Sequence, residues 1–277
     1  MAQKNNPQYE ARNLLDKLGL DDIIDIPISD FVSGIDLIYM EEPLGNCDGK
    51  IIFGNKKTIV KVDSQIKFEQ RKRFVAAHEI GHSIMHQNMT LSNDVFSNFN
   101  LFKNVEAHLK SGQQELEANL FASELLMPTK LFKEDAKGKF SPLLIKQLSE
   151  KFNSSLTATA FKYMEMNLHP ICLILTEKGR VKYWKKSKDL HVFVKECTRL
   201  PPPSDSVAME YLQQDYQFIY KFEEKAQRIS KSTWFDLKSY DEDTDFYEYC
   251  IPTKTHQTVL SIISVSYTHL RAHETGA

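Results

Sequence analysis

The residues with the clearest capacity for chemistry lie at positions 73–82, which read RFVAAHEIGH. His78 and His82 are four positions apart, so on a helix they project from one face and can hold one metal ion. Glu79 lies about 100° around the helix from His78, where its carboxylate can reach a metal-bound water without being a ligand. The alternative is a helix that merely carries two histidines, but the neighbouring positions are apolar, and unliganded histidines facing a core are costly to bury. The spacing predicts a catalytic metal site.

A catalytic zinc site normally takes three protein ligands and leaves one position open. Residues 113–126 are predicted to form a helix and offer Glu115, Glu117, Glu124 and Asn119. Glu115 and Asn119 share a face, so one of them can bind the metal while the other hydrogen-bonds a ligand histidine. Glu117 points about 200° away from Glu115 and is expected to be solvated. An acidic helix face would explain this segment alone, but the metal helix upstream still needs a third ligand.

The two segments together resemble the ImmA/IrrE family of HEXXH metallopeptidases. The resemblance rests on RFVAAHEIGH at residues 73–82 and ELEANLFASELLMP at residues 115–128, and it extends roughly over residues 8–168. It implies an α+β fold with a zincin-like core, in which a small antiparallel sheet supports the metal-bearing helices. It also implies Zn²⁺, with Mn²⁺ as the alternative ion.

The resemblance assigns roles to four residues of this chain. His78, His82 and Glu115 are the implied metal ligands, and Glu79 is the implied catalytic residue. Glu115 is preferred to Glu117 because of the helix geometry and the E-x-x-x-N/D pattern of related glutamate zincins.

The same resemblance implies a cytoplasmic metal-dependent endopeptidase that cleaves a helix-turn-helix transcriptional repressor. Cleavage would relieve repression of mobile-element or stress-response genes. A second hypothesis is a catalytically silent metal-containing binding protein that sequesters its repressor partner as an antirepressor. A third is a general peptidase that acts on small peptides.

The composition and the apolar runs argue against a dedicated nucleic-acid binder, a membrane-spanning protein and an exported protein. The 277 residues carry 35 Lys+Arg and 37 Asp+Glu, a formal net charge of -2, whereas a dedicated nucleic-acid binder usually has a strong basic excess. No apolar run approaches the roughly 18 residues of a membrane-spanning helix, and no apolar signal region opens the sequence. The four cysteines are far apart, without C-x-x-C spacing, which indicates reduced thiols in the cytoplasm.

Periodicity and turn residues predict the elements that position these groups. Helices are expected at residues 8–18, 27–32 and 68–86, and an antiparallel sheet from strands at 35–40, 50–53 and 58–62. The strand at 58–62 either pairs with an extended substrate along its edge or lies inside the sheet. Residues 87–112 are expected to form a long loop. His108 in this loop, and His86, which continues the stripe of His78 and His82, are candidates to stabilise the oxyanion. The alternative for each is a plain surface or packing role.

Four segments follow from these patterns. Residues 1–135 are expected to form the metallopeptidase domain, residues 136–169 a helix-turn-helix-like helical subdomain, and residues 170–263 an α+β accessory or sensing module. Residues 264–277 differ sharply from the preceding sequence and are expected to be a non-native tail.

Helices expected at residues 142–152 and 155–167 have the length and turn of a helix-turn-helix. Direct DNA binding is not expected, because the second helix offers only Lys162 as a positive charge. A hairpin after Pro170 and a helical stretch over residues 207–229 are predicted in the accessory module.

Overall fold

The computed structural model describes residues 6–20, 22–54, 56–86, 110–138, 140–217, 219 and 226–265. Over these ranges the fold is α+β. None of the helices described is both long enough and apolar enough to cross a bilayer. The chain divides into two compact units, the first comprising Met1–Asp135 with Ser149–Ser155 and the second Ala136–Leu148 with Leu156–Ala277.

The first unit combines helices with a three-stranded sheet. Its elements are α1 (Pro7–Leu18), α2 (Ile28–Gly34), β1 (Ile38–Glu42), β2 (Gly49–Phe53), β3 (Thr58–Asp63), α3 (Glu69–Met85), α4 (Lys110–Leu126) and α5 (Thr129–Asp135). The Asn6 side chain accepts hydrogen bonds from the N–H groups of Gln8 and Tyr9 and so caps the start of α1. Gly19, at a left-handed φ of 66°, ends it. The helices predicted at residues 8–18 and 68–86 are therefore present with nearly those bounds.

The sheet of the first unit is mixed, and the prediction that it is antiparallel is wrong. β3 lies in the centre, antiparallel to β2 and parallel to β1. A tight turn, in which the N–H of Gly54 donates to the carbonyl of Lys57, joins β2 to β3, whereas β1 reaches its place beside β3 through a longer connection that permits a parallel pairing. Val60 and Val62 make β3 the most buried strand of the sheet. Residues 58–62 thus form the internal strand, and a substrate cannot pair along them.

One apolar core joins this sheet to α3 and α4. Its fully buried members include Val60 and Val62 from β3, Val75, Ala76, Ala77 and Ile80 from α3, and Phe121 and Ala122 from α4. The two helices approach closely at Gly81, where an added Cβ would lie 3.1 Å from Phe121 Cδ1 and 3.3 Å from Ala118 Cα. The spacing between α3 and α4 therefore depends on the missing side chain at Gly81.

The remaining elements follow α5 along the chain. They are α6 (Pro142–Lys151), α7 (Leu156–Glu165), β4 (Ile171–Glu177), β5 (Arg180–Lys186), β6 (Phe193–Val194), α8 (Val207–Gln213), β7 (Gln227–Ser230), α9 (Lys231–Trp234), β8 (Phe235–Asp236), β9 (Asp245–Thr253), a 3-10 turn (Lys254–His256) and β10 (Thr258–Val265). β4, β5, β7, β9 and β10 form an antiparallel sheet in the order β5-β4-β10-β9-β7. β4 and β5 are the predicted hairpin, and Lys178 and Gly179 are both left-handed in its turn, as the twist of a two-residue hairpin turn favours.

The helical stretch predicted over residues 207–229 is shorter in the structure. α8 ends at Gln213. Two residues further on, Asp215 and Tyr216 have left-handed φ angles of 51° and 60°. Successive left-handed residues cannot continue an α-helix, so the chain leaves the helix here and later forms β7.

Two predicted segments lie wholly or mostly outside the described residues. The loop expected at residues 87–112 is described only from Lys110, where α4 begins. The tail expected at residues 264–277 is described only for Ser264 and Val265, which pair with Tyr247 and Phe246 as part of β10.

α6 and α7 occupy the helix-turn-helix-like segment. Most of α7 is buried, including Lys162, which is 3% exposed. A DNA recognition helix needs an exposed basic surface, and α7 does not present its one positive charge in that way.

A buried carboxylate organises the second unit. Glu248 on β9 is fully buried and accepts hydrogen bonds from the N–H groups of Val207 and Ala208, at 2.8 and 3.3 Å, and from the Ser261 hydroxyl at 2.6 Å. It therefore caps the first turn of α8. Burial raises the pKa of Glu248 above its usual range, against the lowering effect of these hydrogen bonds.

Replacing this carboxyl should alter how stability depends on pH. A raised pKa in the folded state means that the proton stabilises the fold below the unfolded pKa and that this contribution is lost as the pH rises through the folded pKa. We expect Glu248→Gln to gain stability relative to the wild type as the pH rises through that interval. Urea unfolding followed by tryptophan fluorescence measures this, because both tryptophans, Trp184 and Trp234, lie in the second unit.

The exposed Glu242 provides the matched control. Glu242→Gln should leave the pH dependence of unfolding as in the wild type. Parallel curves for Glu248→Gln and wild type would contradict the prediction.

Candidate metal centre

α3 and α4 bring three of the predicted residues together. His78 and His82 lie one turn apart on α3, and their Nε2 atoms are 2.9 Å apart. Glu115 on α4 places one carboxylate oxygen 3.2 Å from His78 Nε2 and the other 3.2 Å from His82 Nε2. Both imidazoles are buried, and the carboxylate is one-fifth exposed. These three side chains form a group whose ligand atoms could hold one metal ion.

Asn119 fixes the tautomer of the first imidazole. Its Oδ1 lies 2.9 Å from His78 Nδ1, and because an amide oxygen only accepts, the proton of neutral His78 is on Nδ1. His78 Nε2 then carries a lone pair directed toward His82 and Glu115. The sequence left open which of Glu115 and Asn119 faces the ion and which supports a histidine; in the structure the carboxylate faces the two Nε2 atoms and the amide supports His78.

The second imidazole is held by a different chain of contacts. His82 Nδ1 lies 2.9 Å from His86 Nδ1, and His86 Nε2 lies 3.1 Å from Glu117 Oε2. The amide of Gln113 donates to the other carboxylate oxygen of Glu117 at 2.8 Å. Burial lowers the pKa of His86, against the raising effect of Glu117. The expectation that Glu117 is solvated is therefore wrong, since its side chain is only 24% exposed and is paired with a buried histidine.

The site concentrates electron-rich atoms. Burial would raise the pKa of Glu115, but its interactions with His78 and His82 outweigh burial and hold that pKa well below its usual range. An anionic carboxylate and two imidazole nitrogens turned toward one point repel each other unless a cation lies among them. That cation is either a proton shared with the imidazoles or a metal ion.

The donor set fits a metal ion such as zinc. Ligand atoms arranged tetrahedrally at about 2.0–2.1 Å from zinc are ~3.3 Å apart, and the three separations here are 2.9, 3.2 and 3.2 Å. Two imidazole nitrogens and one carboxylate are a donor set that catalytic zinc sites use, with the fourth position left for water.

Glu79 lies beside this group, deeply buried. Burial raises the pKa of Glu79 to about 7, while His82 lowers it and Glu115 raises it further. The strand β2 passes directly over this carboxyl at Gly49, where an added Cβ would lie 2.4 Å from Val75 Cγ1 and 2.9 Å from Glu79 Oε1. Nothing local to Gly49 in the sequence signals this contact with a residue thirty positions later.

Two other histidine predictions have different outcomes. His86 lies in the contact chain behind His82, where it is 3% exposed, rather than in a plain surface position. His108 lies outside the described residues.

A comparison with protein families matches residues 33–164 to the IrrE N-terminal-like domain, a family of M78 peptidases. This part of the chain belongs to that family. The resemblance found in the sequence is therefore confirmed, and the IrrE N-terminal-like domain contains all four predicted site residues. No curated protein matches the chain at a significant level.

Among solved structures, the chain is similar to one titled Mycobacterium tuberculosis transcriptional regulator. The TM-score is 0.58 and the sequence identity 11%, with 99% of this chain and 80% of that chain covered. At this identity the likeness shows the fold alone.

The close passage of β2 over Glu79 leads to a prediction. We expect Gly49→Ala to destabilise the chain by about 1–3 kcal/mol, because the new methyl group must displace Val75 or the Glu79 carboxyl. Thermal unfolding followed by circular dichroism measures the change.

Gly34→Ala is the matched control, since nothing lies within 4 Å of its added Cβ. This variant should unfold at the wild-type temperature or slightly above it, because alanine lowers the conformational entropy of the unfolded chain. Equal unfolding temperatures for Gly49→Ala and Gly34→Ala would show that the contact at Glu79 does not constrain β2.

Proposed function

We propose that the chain is a metal-dependent endopeptidase with a zincin-like core. His78, His82 and Glu115 hold the ion, Zn²⁺ or alternatively Mn²⁺, and Glu79 is the general base. The observation that carries this proposal is the convergence of two imidazole nitrogens and a carboxylate within 3.2 Å of one another, beside a buried carboxyl. Membership of residues 33–164 in a peptidase family supports it.

Each side chain has a separate task in this mechanism. The bound ion would supply Lewis acidity, polarising a substrate carbonyl and lowering the pKa of water. Glu79 accepts the proton of the attacking water and returns it to the leaving amine. A pKa of about 7 before the ion binds places this carboxyl where it can exchange a proton near neutral pH. Asn119 holds His78 with Nε2 directed at the ion.

We further propose a helix-turn-helix transcriptional repressor as the substrate. The resemblance to ImmA/IrrE peptidases implies that class, and the regulator title of one structural neighbour is consistent with a role in gene control. Residues 136–169 and 170–263 would then act as docking and sensing segments. The buried Lys162 favours a role in protein packing over DNA contact for α7.

The role of Glu79 can be tested by a substitution that keeps its shape. We expect Glu79→Gln to retain stoichiometric metal, because Glu79 is not a ligand, and to lose about 10²–10⁴-fold in the rate of repressor cleavage. Purified candidate repressors are incubated with each variant, and products are followed by gel and mass spectrometry.

Glu69→Gln, in the exposed first turn of the same helix, is the control and should cleave like the wild type. If Glu79→Gln and the wild type both prevent a repressor from binding DNA without cutting it, the chain acts by sequestration. Rapid cleavage of short unrelated peptides would instead support a general peptidase.

Removal of the ion gives a second test. Elemental mass spectrometry of the purified chain should find about one zinc or manganese per chain, and dialysis against a chelator should remove it. The metal-free chain should unfold at a lower temperature, since a ligand at 100 times its Kd adds about 2.7 kcal/mol. A chain that takes up no stoichiometric metal after reconstitution would overturn the proposal.

A further inference from the structure

The two histidines of the metal centre are supported in unequal ways. His78 meets a neutral amide, Asn119, at 2.9 Å. His82 meets another imidazole, His86, at the same distance, and His86 in turn meets the carboxylate of Glu117. A neutral amide therefore lies behind one histidine, whereas behind the other lie two further groups that end in a negative charge.

In the contacts from His82 through His86 to Glu117, the cation at one end and the carboxylate at the other determine which nitrogen of each imidazole carries the proton. When His82 Nε2 faces a cation, the proton of His82 is on Nδ1, which donates to His86 Nδ1. The proton of neutral His86 is then on Nε2, which donates to Glu117 Oε2. Each neutral imidazole then has one donor and one acceptor nitrogen, and the carboxylate accepts. With both imidazoles neutral and Glu117 ionised, all of these contacts form together only with His82 Nε2 free for the ion.

The fold holds both of the residues behind His82, His86 at the end of α3 and Glu117 on α4, in place. The N–H of His86 donates to the carbonyl of His82 at 2.9 Å as α3 ends, and the imidazole is 3% exposed. On α4, Gln113 donates to the second oxygen of Glu117 at 2.8 Å. A histidine that served only to fill space would not need a carboxylate anchored in this way.

We propose that His86 and Glu117 are positioning residues that hold His82 in the tautomer and orientation that bind the metal ion. This inference rests on the proposed metal centre. A hydrogen-bonded acceptor behind a ligand histidine fixes the ring and increases the basicity of its metal-binding nitrogen, and losing such an acceptor typically lowers metal affinity 10–100-fold.

The chain suggests the variant that separates positioning from packing. Asn119 already serves His78 as an acceptor, and in His86→Asn the amide oxygen can take the place of His86 Nδ1. We expect His86→Asn to keep zinc affinity within a few-fold of the wild type. His86→Phe keeps an aromatic ring but has no acceptor, and we expect its affinity to fall about 10–100-fold.

Glu117→Gln tests the outer group. It keeps an oxygen that can accept from His86 Nε2 but removes the negative charge, so we expect a loss of several-fold, between those of His86→Asn and His86→Phe. His191→Phe and Glu134→Gln, both exposed, are the matched controls and should bind zinc like the wild type.

Three measurements on the full chain read out the effect. Competition with a chromophoric chelator gives the zinc affinity, the visible absorption of the Co²⁺-substituted chain reports ligand geometry, and circular dichroism follows unfolding of the metal-free chain. Positioning predicts that His86→Phe changes the affinity and the Co²⁺ spectrum, and that His86→Asn restores both.

Two results would overturn the inference. One is a His86→Phe chain that binds zinc as tightly as the wild type with the same Co²⁺ spectrum. The other is equal weakening in His86→Phe and His86→Asn, matched by equal losses of metal-free stability, as a packing role requires. Either result leaves the metal centre standing if the wild type binds one ion, whereas a wild type that binds none overturns both proposals.

Discussion

Helix α4 can bring Glu115 within 3.2 Å of both histidines because α3 has no side chain at Gly81. A methyl group there would press on Phe121 and on the backbone at Ala118, and cores resist such overpacking. The geometry of this candidate metal-binding group is thus set by an apolar contact between two helices, next to His82 on α3 and one turn from Glu115 on α4. Helices held in this way position side chains more precisely than loops do.

Three buried carboxylates of the described residues, and the partly exposed carboxylate of Glu115, are stabilised by different partners. Glu248 accepts from two backbone N–H groups at the start of α8. Glu124 accepts from the N–H and hydroxyl of Thr129 and pairs with Arg12, which ties α4 to α5 and α1. Glu115 faces two imidazoles. Glu79 is packed beneath β2, and its pKa of about 7 suits proton transfer.

Two side chains of α4 provide hydrogen-bond partners behind the histidines of the site. Asn119 supports one histidine and Glu117, through His86, the other. A buried polar network is stable only when every member has a partner, so a replacement among these residues has to keep a hydrogen-bond acceptor for the imidazole that it faces. The first unit therefore holds its electron-rich cluster by hydrogen bonds as well as by packing.

The sequence by itself determined that His78 and His82 share one face of α3, because an α-helix repeats every 3.6 residues. This inference uses only the local segment HEIGH and no contact with distant residues. It also predicted most helix bounds and the β4–β5 hairpin, which depend on local caps and turns. Tertiary structure alone decided the place of β3 in a mixed sheet, the pairing of Glu117 with His86, and the passage of Gly49 over Glu79. Helical periodicity predicted that Glu117 points away from Glu115, but it could not predict that His86 lies within hydrogen-bond distance of Glu117. Contacts between residues far apart in the chain are set by packing, and no local pattern records them.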